Sequence, residues 1–566
     1  MMSASENMLS SSAQQIRPRR EWELFPVMGV IWISLFIFAL YPLAKLLFFV
    51  FSADGTFSFR PLTEILESSY NIKALYNSLF LGMMVALSGT FIGFCFAYLT
   101  VRMRIPSWLK WLIATLTLLP LISPPFTSSV ALTLALGPNG FLLNLIGIPD
   151  FNFYGFWGTW IGETLTYFPV AYLALSAVLV SLDPSMEDAA LSLGSSPWRV
   201  FYTVTLPMTT PGLANSLLLL FANSLADFAT PLVLGGVSFP VLPTQAYLQI
   251  TGMNDLKGGA GLSFLLLVPA LIAYLLQHYW VNRRSYITIT GKSGARSSVK
   301  GMGAIGEIFV FSLCMLISLF VVLLYTIIVM ASFVKVFGIN HTFTLEHYEY
   351  VFKYGQKAIK DTLIIAALVT PIGGLMAVVI GFITYRKKLI GNRFLDFTCM
   401  LNYALPGTVV GIAYILAFNE EPLLLTGGLT ILVAAYIFRY FAAGIRSVVA
   451  SLHQIDKNIE EASFSLGANA VRTFFQITFP LVIPAVLAGM RYLFIHSMTA
   501  ISATIFLVSL NWTLLTTRIL ESMTGLQFAQ ASAFSVVLIM LVFLGSGIIT
   551  FLLKLYSARL AGTGES

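Results

Sequence analysis

The chain has 566 residues, of which 57% are hydrophobic and only 10% charged, far below the roughly 25% charged content of soluble domains. It reads as an integral membrane protein. A net charge of +7 on a soluble chain would point to nucleic acid, but here the basic residues gather in particular loops, so membrane topology accounts for them and no nucleic-acid partner is implied.

The first 24 residues are polar and carry Arg17, Arg19 and Arg20; they read as a tail (1–24). The apolar run that follows is too long for a signal-peptide core and lacks a small-residue cleavage site, so it is expected to remain as the first span. Runs long enough to cross the hydrocarbon, about 20 residues each, fall at 25–51, 75–101, 111–136, 155–181, 211–236 and 259–281. A second series follows at 304–332, 359–384, 395–418, 426–449, 484–509 and 530–553. The expected architecture is all-α and polytopic, with twelve transmembrane helices in two six-helix repeats, 25–281 and 304–555. A basic Gly/Ser linker at 282–303 joins them, and a short tail (556–566) follows. Because six is even, the repeats run parallel, related by an axis along the membrane normal.

Orientation follows from basic residues in the loops. With the amino terminus inside, twenty-one lie on the inner side, among them Arg102, Arg199, Arg283, Arg386 and Arg472, against eight outside. Both termini are therefore expected in the cytoplasm. Cys95, Cys314 and Cys399 sit inside apolar runs without the spacing of a disulfide framework or metal knuckle, and no metal site is assigned.

Between spans four and five lies a polar island, "EDAALSLGSSPWRVFYTVTLPMTTPG" (Glu187 to Gly212), and between spans ten and eleven its echo, "EEASFSLGANAVRTFFQITFPLVIPA" (Glu460 to Ala485). Glu187/Glu460, Gly194/Gly467, Arg199/Arg472, Pro207/Pro480 and Pro211/Pro484 all recur at an offset of 273. Each island reads as helix, tight turn, helix. Gly194 and Gly467 suit a left-handed helix end, Ser196 and Asn469 suit N-caps, and the prolines are expected to punctuate the return to the membrane. A loop that only connects spans has no reason to hold this register twice. Two like knobs, facing the cytoplasm, imply a partner with two like clefts.

The islands resemble the "EAA" loop of type I ATP-binding-cassette importer permeases: acid, two small residues, three variable residues, glycine, and a proline downstream. Here the motif reads Asp188-Ala189-Ala190 with Gly194 and Pro207, then Glu461-Ala462-Ser463 with Gly467 and Pro480. Asp replaces the usual Glu in one copy and Ser the second alanine in the other. The resemblance implies that Glu187, Asp188, Ala189, Gly194 and Pro207, and Glu460, Glu461, Ala462, Gly467 and Pro480, couple the spans to two copies of a nucleotide-binding ATPase subunit. It also implies a periplasmic or lipoprotein substrate-binding protein, residence in the bacterial inner membrane, and ATP hydrolysed by the partners. No cofactor is expected in this chain. "TITGKSG" (Thr288 to Gly294) is no phosphate loop, because position 286 is Tyr where a glycine is needed and no strand precedes it. Without paired carboxylates or metal-spaced histidines in the polar loops, the chain is expected to carry no catalysis of its own.

Charges at membrane depth cost about 2.5–3.5 kcal/mol on insertion scales and face a bundle interior or a water-filled path. Glu163, Asp227, Arg439 and Arg491 are the candidates for the translocation path, with interhelical ion pairs as the alternative role. Proline and glycine interrupt corresponding spans at "LLPLISPPF" (Leu118 to Phe126) and "ALPGTVVG" (Ala404 to Gly411). The stretches "SLADFATPLVLGG" (Ser224 to Gly236) and "SMTAISATIFLVS" (Ser497 to Ser509) likewise occupy matching places. Broken backbone at this depth is tolerated where it lines a cavity. The last two stretches resemble fused permeases that import ferric ion from a binding protein. Relatives carrying phosphonates, thiamine or polyamines share similar stretches, and an ion-driven secondary transporter would have the same span count without the docking loops.

Overall fold

The computed structural model describes residues 24–53, 56–138, 140, 142–143, 147, 151–281, 302–386 and 391–562. The amino-terminal tail and nearly all of the expected linker, with its Gly-Lys-Ser stretch, lie outside them. In the first half the order is α1 (Pro26–Val50), a short hairpin β1 (Ser52–Ala53) and β2 (Thr56–Phe57), α2 (Arg60–Glu67), α3 (Ser69–Val101), α4 (Ser107–Ile122), α5 (Pro125–Leu136), α6 (Phe156–Ser181), α7 (Ser185–Ser192), α8 (Pro197–Ala226), α9 (Leu242–Gly252) and α10 (Leu256–Tyr279). The second half repeats it: α11 (Ala304–Ser332), β3 (Val334–Val336) and β4 (Asn340–Phe343), α12 (Glu346–Tyr354), α13 (Gln356–Arg386), α14 (Asn392–Ala404), α15 (Gly407–Phe418), α16 (Leu429–Gln454), α17 (Lys457–Ser465), α18 (Val471–Thr499), a single turn α19 (Thr504–Leu507), α20 (Leu515–Thr524) and α21 (Phe528–Tyr556). The dipeptides Thr56-Phe57 and Thr342-Phe343 fall in β2 and β4, each the second strand of an antiparallel hairpin.

Spans three and nine are not straight. They are the pairs α4/α5 and α14/α15, bent by 102° and 108°. The cause is local: a residue before proline is driven out of the helical region, and Ser123 (ψ 155) before Pro124 and Leu405 (ψ 137) before Pro406 are both extended. Each pair still carries the chain across once. Helix α6 runs parallel to α3, as successive contacts show: Phe80 meets Phe156, Ser88 bonds Thr164 at 2.9 Å, and Gly93 abuts Ala171. The chain must therefore return to the start of α3 before entering α6, and the bent pair is the segment between them. The same holds in the second half, where Ala377 meets Gly444, Gly381 meets Val448 and Arg386 reaches the carbonyl of Leu452. With the ten unpaired helices long and apolar enough to span, this makes twelve crossings among the described residues.

Spans five and eleven differ from expectation where they leave the islands. Helix α8 begins within the island and passes through a π-helical turn, Phe201–Thr205, without leaving the helix, and α18 does the same through Phe474–Thr478. Pro207 and Pro480 sit in the first turn of the straight α-helix after those turns, where a missing N–H costs little, so they mark no loop. At their other ends both helices stop at Asp227 and Ala500, inside the two matching stretches that the sequence marks for broken backbone.

The first span of each half packs on the other half. Tyr414 of α15 donates to the carbonyl of Phe38, Trp32 stacks on Phe394, and Phe38 stacks on Phe438. Reciprocally, Tyr325 of α11 bonds Ser123 at the first bend, and Cys314 lies among Cys95, Phe94 and Phe96. All three cysteines are buried and free. Away from the islands, the starts of α3 and α13 hold matching connections: Asn77 donates to the Pro240 carbonyl and Ser78 accepts from Leu242 N, while Asp361 and Thr362 accept from Thr513 N and Leu515 N, all at 2.8–3.0 Å.

Small residues set the closest helix approach. A Cβ added to Gly489 on α18 would lie 2.8 Å from the Cα of Gly444 on α16. Gly489→Val is therefore expected to lower stability by about 1–3 kcal/mol, the usual cost of overpacking. A melting curve of the purified protein in lipid that matches wild type would contradict this packing.

Candidate functional site: the paired islands and the central breaks

Each island is built by the same bonds. The helix α7 ends in a tight reversal in which Leu193 N bonds Ala189 O and Ser195 N bonds Ala190 O, with Gly194 at φ +85. After α17, Leu466 N bonds Ala462 O, Ala468 N bonds Ser463 O, and Gly467 sits at φ +87. A left-handed residue at this point selects glycine. Ser196 and Asn469 then accept from the backbone N of Arg199 (3.3 Å) and Arg472 (2.8 Å), the expected caps. Open space surrounds both glycines.

The acids divide into two roles. Glu187 is 4% exposed and points inward, where Arg102 Nη1 stands 3.3 Å from Oε2 and the Thr205 hydroxyl donates to Oε1 at 2.7 Å. Glu460 repeats this with Arg386 (3.2 Å) and Thr478 (3.0 Å). Arg386 also donates to the carbonyls of Leu452 and Ile455, so it ties the end of α13 to the end of α16 as well. Thus the first acid of each island anchors it to the end of α3 or α13 and to the start of α8 or α18. Asp188, half-buried, and Ala189, Glu461 and Ala462, exposed, lie toward the open side.

That open side is apolar and duplicated. Met186, Leu193, Trp198 and Tyr202 are exposed around the first turn; Ile459, Leu466, Val471 and Phe475 are exposed around the second, each at the 273 offset. Leu193 at 87% and Leu466 at 89% exposure are almost fully presented to solvent. Exposed apolar patches are a surface feature that interaction sites share, and here the patch occurs twice in one register.

The second region lies at the middle of the bundle. Glu163 is fully buried on α6 and accepts from Ser224 on α8, while its other oxygen has no partner among the described residues. Asp227 ends α8 and accepts from Ala229 N (2.9 Å) and Thr230 N (3.3 Å), which folds the broken segment of span five around its carboxylate. Arg439 on α16 reaches the matching break of span eleven, with Nη1 3.4 Å from Ser502 Oγ and its guanidinium 5.3 Å from the Tyr440 ring centroid. Where Glu163 stands in the first half, Tyr436 stands in the second, bonded to Thr504. Phe228, Tyr247 and Phe506 pack together between the two breaks, with centroids 5.0, 5.9 and 6.5 Å apart. Glu163, Asp227 and Arg439 are thus brought to the central breaks. Arg491 is exposed on the surface of α18.

Sequence reading missed the partners. Thr205 and Thr478 share the 273 offset and were findable by it. Arg102 and Arg386 stand 284 apart, because the loops between them and the islands differ in length, and so escaped the register.

Twelve crossings among the described residues, in two repeats with a matching polar island in each and broken helices at the centre, are the architecture of a two-repeat membrane permease. A family model described as "Binding-protein-dependent transport system inner membrane component" matches residues 89–286 and again 369–562. The chain belongs to this family, as a fused two-repeat permease of the ATP-binding-cassette importers. It is 34% identical over 519 residues to the ferric transport system permease protein FbpB of Actinobacillus pleuropneumoniae, covering 89% of this chain and 74% of that one. It is 35% identical over 496 residues to putative ferric transport system permease protein FbpB 1 of Haemophilus influenzae, 84% and 76% of the two chains. The molybdenum transport system permease protein ModB of Escherichia coli K12 is 31% identical over 223 residues, 38% of this chain but 94% of ModB.

Removing one member of a buried ion pair leaves an uncompensated charge, at a cost of about 3–5 kcal/mol. Arg102→Ala should therefore loosen the first island, read as faster hydrogen exchange of residues 185–205, with the second island unchanged. Equal protection in variant and wild type would remove the anchoring role.

Proposed function

We propose that this chain is the membrane-spanning subunit of an importer that carries ferric iron from a binding protein into the cytoplasm, driven by two ATPase subunits docked on the two islands. The observation that carries the reading is the duplicated apolar face: four exposed residues repeated in register around Gly194 and Gly467, each mounted on an Arg–Glu–Thr anchor, buried in the first half and partly buried in the second. The iron assignment is supported by the relatives named as ferric transport permeases along most of the chain. ATP is hydrolysed by the partners, and this chain contributes no nucleotide site. The excess of basic residues on the island side supports cytoplasmic islands and termini, with the protein in the bacterial inner membrane.

The anchors explain how motion would pass inward. An ATPase gripping Leu193 and its neighbours pulls on α7, and α7 is bound through Glu187 both to the end of α3 and to the start of α8. Helix α8 is unbroken from the island to Asp227, so displacement at one end is delivered to the central break at the other. The second half transmits through Glu460, α13 and α18.

Burying a leucine side chain at an interface contributes about 1.5–3 kcal/mol. Leu193→Glu with Leu466→Glu should weaken ATPase association by about tenfold or more at each site, measured by titrating the ATPase onto the permease in lipid. Undiminished binding would remove the islands as docking sites. For the cargo, ATP hydrolysis by the reconstituted complex is expected to rise with ferric-loaded binding protein over the empty form; stimulation by another loaded ligand alone would replace iron while leaving the machine.

A further inference from the structure

The central breaks are alike in place but opposite in chemistry. In the first half the second helix of the bent pair begins Pro125-Phe126, and the residue matching Arg439 is Thr166, whose hydroxyl is spent on the Gly162 carbonyl 2.9 Å away. In the second half it begins Gly407-Thr408. Helix α15 is twelve residues long, so its amino-terminal end carries the partial positive charge and free N–H groups of a full helix.

Arg439 stands against that end. Any side chain at Gly407 would collide with the Arg439 guanidinium and with the Ser502 hydroxyl, so the absence of a Cβ makes the cradle in which the two meet. Gly407 has no positive φ, so backbone conformation does not account for this glycine. Arg439 is 9% exposed, and among the described residues no carboxylate pairs with it. At about 15 Å along α16 from its start, it sits near the middle of a membrane about 30 Å thick. A buried guanidinium beside a helix amino terminus places two positive groups together in a low-dielectric setting, which is unfavourable until a negative charge joins them. Thr408, in the first turn of the same helix, has a buried hydroxyl without a hydrogen-bond partner among the described residues, as Thr127 has in α5, but only at α15 does a guanidinium stand against the helix end.

We propose that Arg439, Ser502, Thr408 and the first turn of α15 form an anion subsite on the transport path, which takes a group bearing at least two acceptor oxygens, an inorganic oxyanion or a carboxylate. The guanidinium supplies paired donors to such a group. The subsite rests on reading the central breaks as the path, and it gives that path a cargo class: a metal crosses there together with an oxygen-bearing anion. Glu163 and Asp227, on the other half, then face the metal side of the same complex.

The test is equilibrium binding of radiolabelled phosphate and, separately, citrate to the full-length permease in lipid nanodiscs, with neither iron nor ATPase present. Failure of ATPase docking or of the iron assignment therefore leaves the result intact. Saturable binding of phosphate alone would assign a small oxyanion, and of citrate alone a carboxylate; either supports the subsite. Arg439→Gln should weaken it by about tenfold or more, with Arg439→Lys intermediate. Gly407→Ala should do the same while keeping the charge, so its loss of binding cannot be laid to a missing arginine; melting curves identify which variants are folded. The proposal is overturned if wild type binds neither anion saturably, or if folded Arg439→Gln and Gly407→Ala both bind as wild type does.

Discussion

The structure depends on one packing constraint: in each half the second span and the fourth run parallel in direct contact, α3 with α6 and α13 with α16. Parallel neighbours need a return crossing between them, and that is the work of the bent pairs. The same geometry brings the end of α3 and the segment just past α6 to one side of the membrane. Only for that reason does Arg102 find Glu187, and Arg386 find Glu460, across loops of unequal length. An antiparallel arrangement would have left two buried charges unpaired at opposite faces.

From this frame the molecule divides into a symmetric rim and an asymmetric centre. At the rim, the Schellman-type turn, the N-cap, the Arg–Glu–Thr anchor and the apolar face are repeated almost residue for residue. At the centre, Glu163 is matched by Tyr436, Asp227 by Ala500 and Arg439 by Thr166. On the proposed function, a twofold partner at the islands would constrain both copies alike, whereas a single cargo would meet each half once. Divergence is concentrated at the central breaks.

Much of the fold was legible because it rests on local chemistry. Span length follows from the apolar runs, and the bends at Pro124 and Pro406 follow from a rule about the residue before proline. Gly194 and Gly467 announced their left-handed turns. The candidate site was legible only where duplication exposed it. Glu187 and Glu460 stood out by register, but whether they face a partner or the interior depends on arginines that the register does not reach. Pro207 and Pro480 misled, since a proline in the first turn of a helix looks the same in sequence as one in a loop. Gly407 gave no signal either. Its meaning comes from Arg439, thirty-two residues later, arriving in the space where a Cβ would stand.

The exchange of first spans has a consequence for biosynthesis. Tyr414, which bonds the Phe38 carbonyl, lies 376 residues further along the chain. At about 5–20 residues per second, the ribosome needs roughly 20–75 s to supply it. During that interval α1 has been made but its permanent neighbours have not, and lipid or an insertion factor must cover the face that α15 will later occupy. Helix α11 has no such wait, because α3, α4 and α5 are already in place when it emerges. The two halves, so alike when finished, are therefore assembled in opposite order: one docks onto a completed surface, and the other holds a surface open until about three-quarters of the chain has been made.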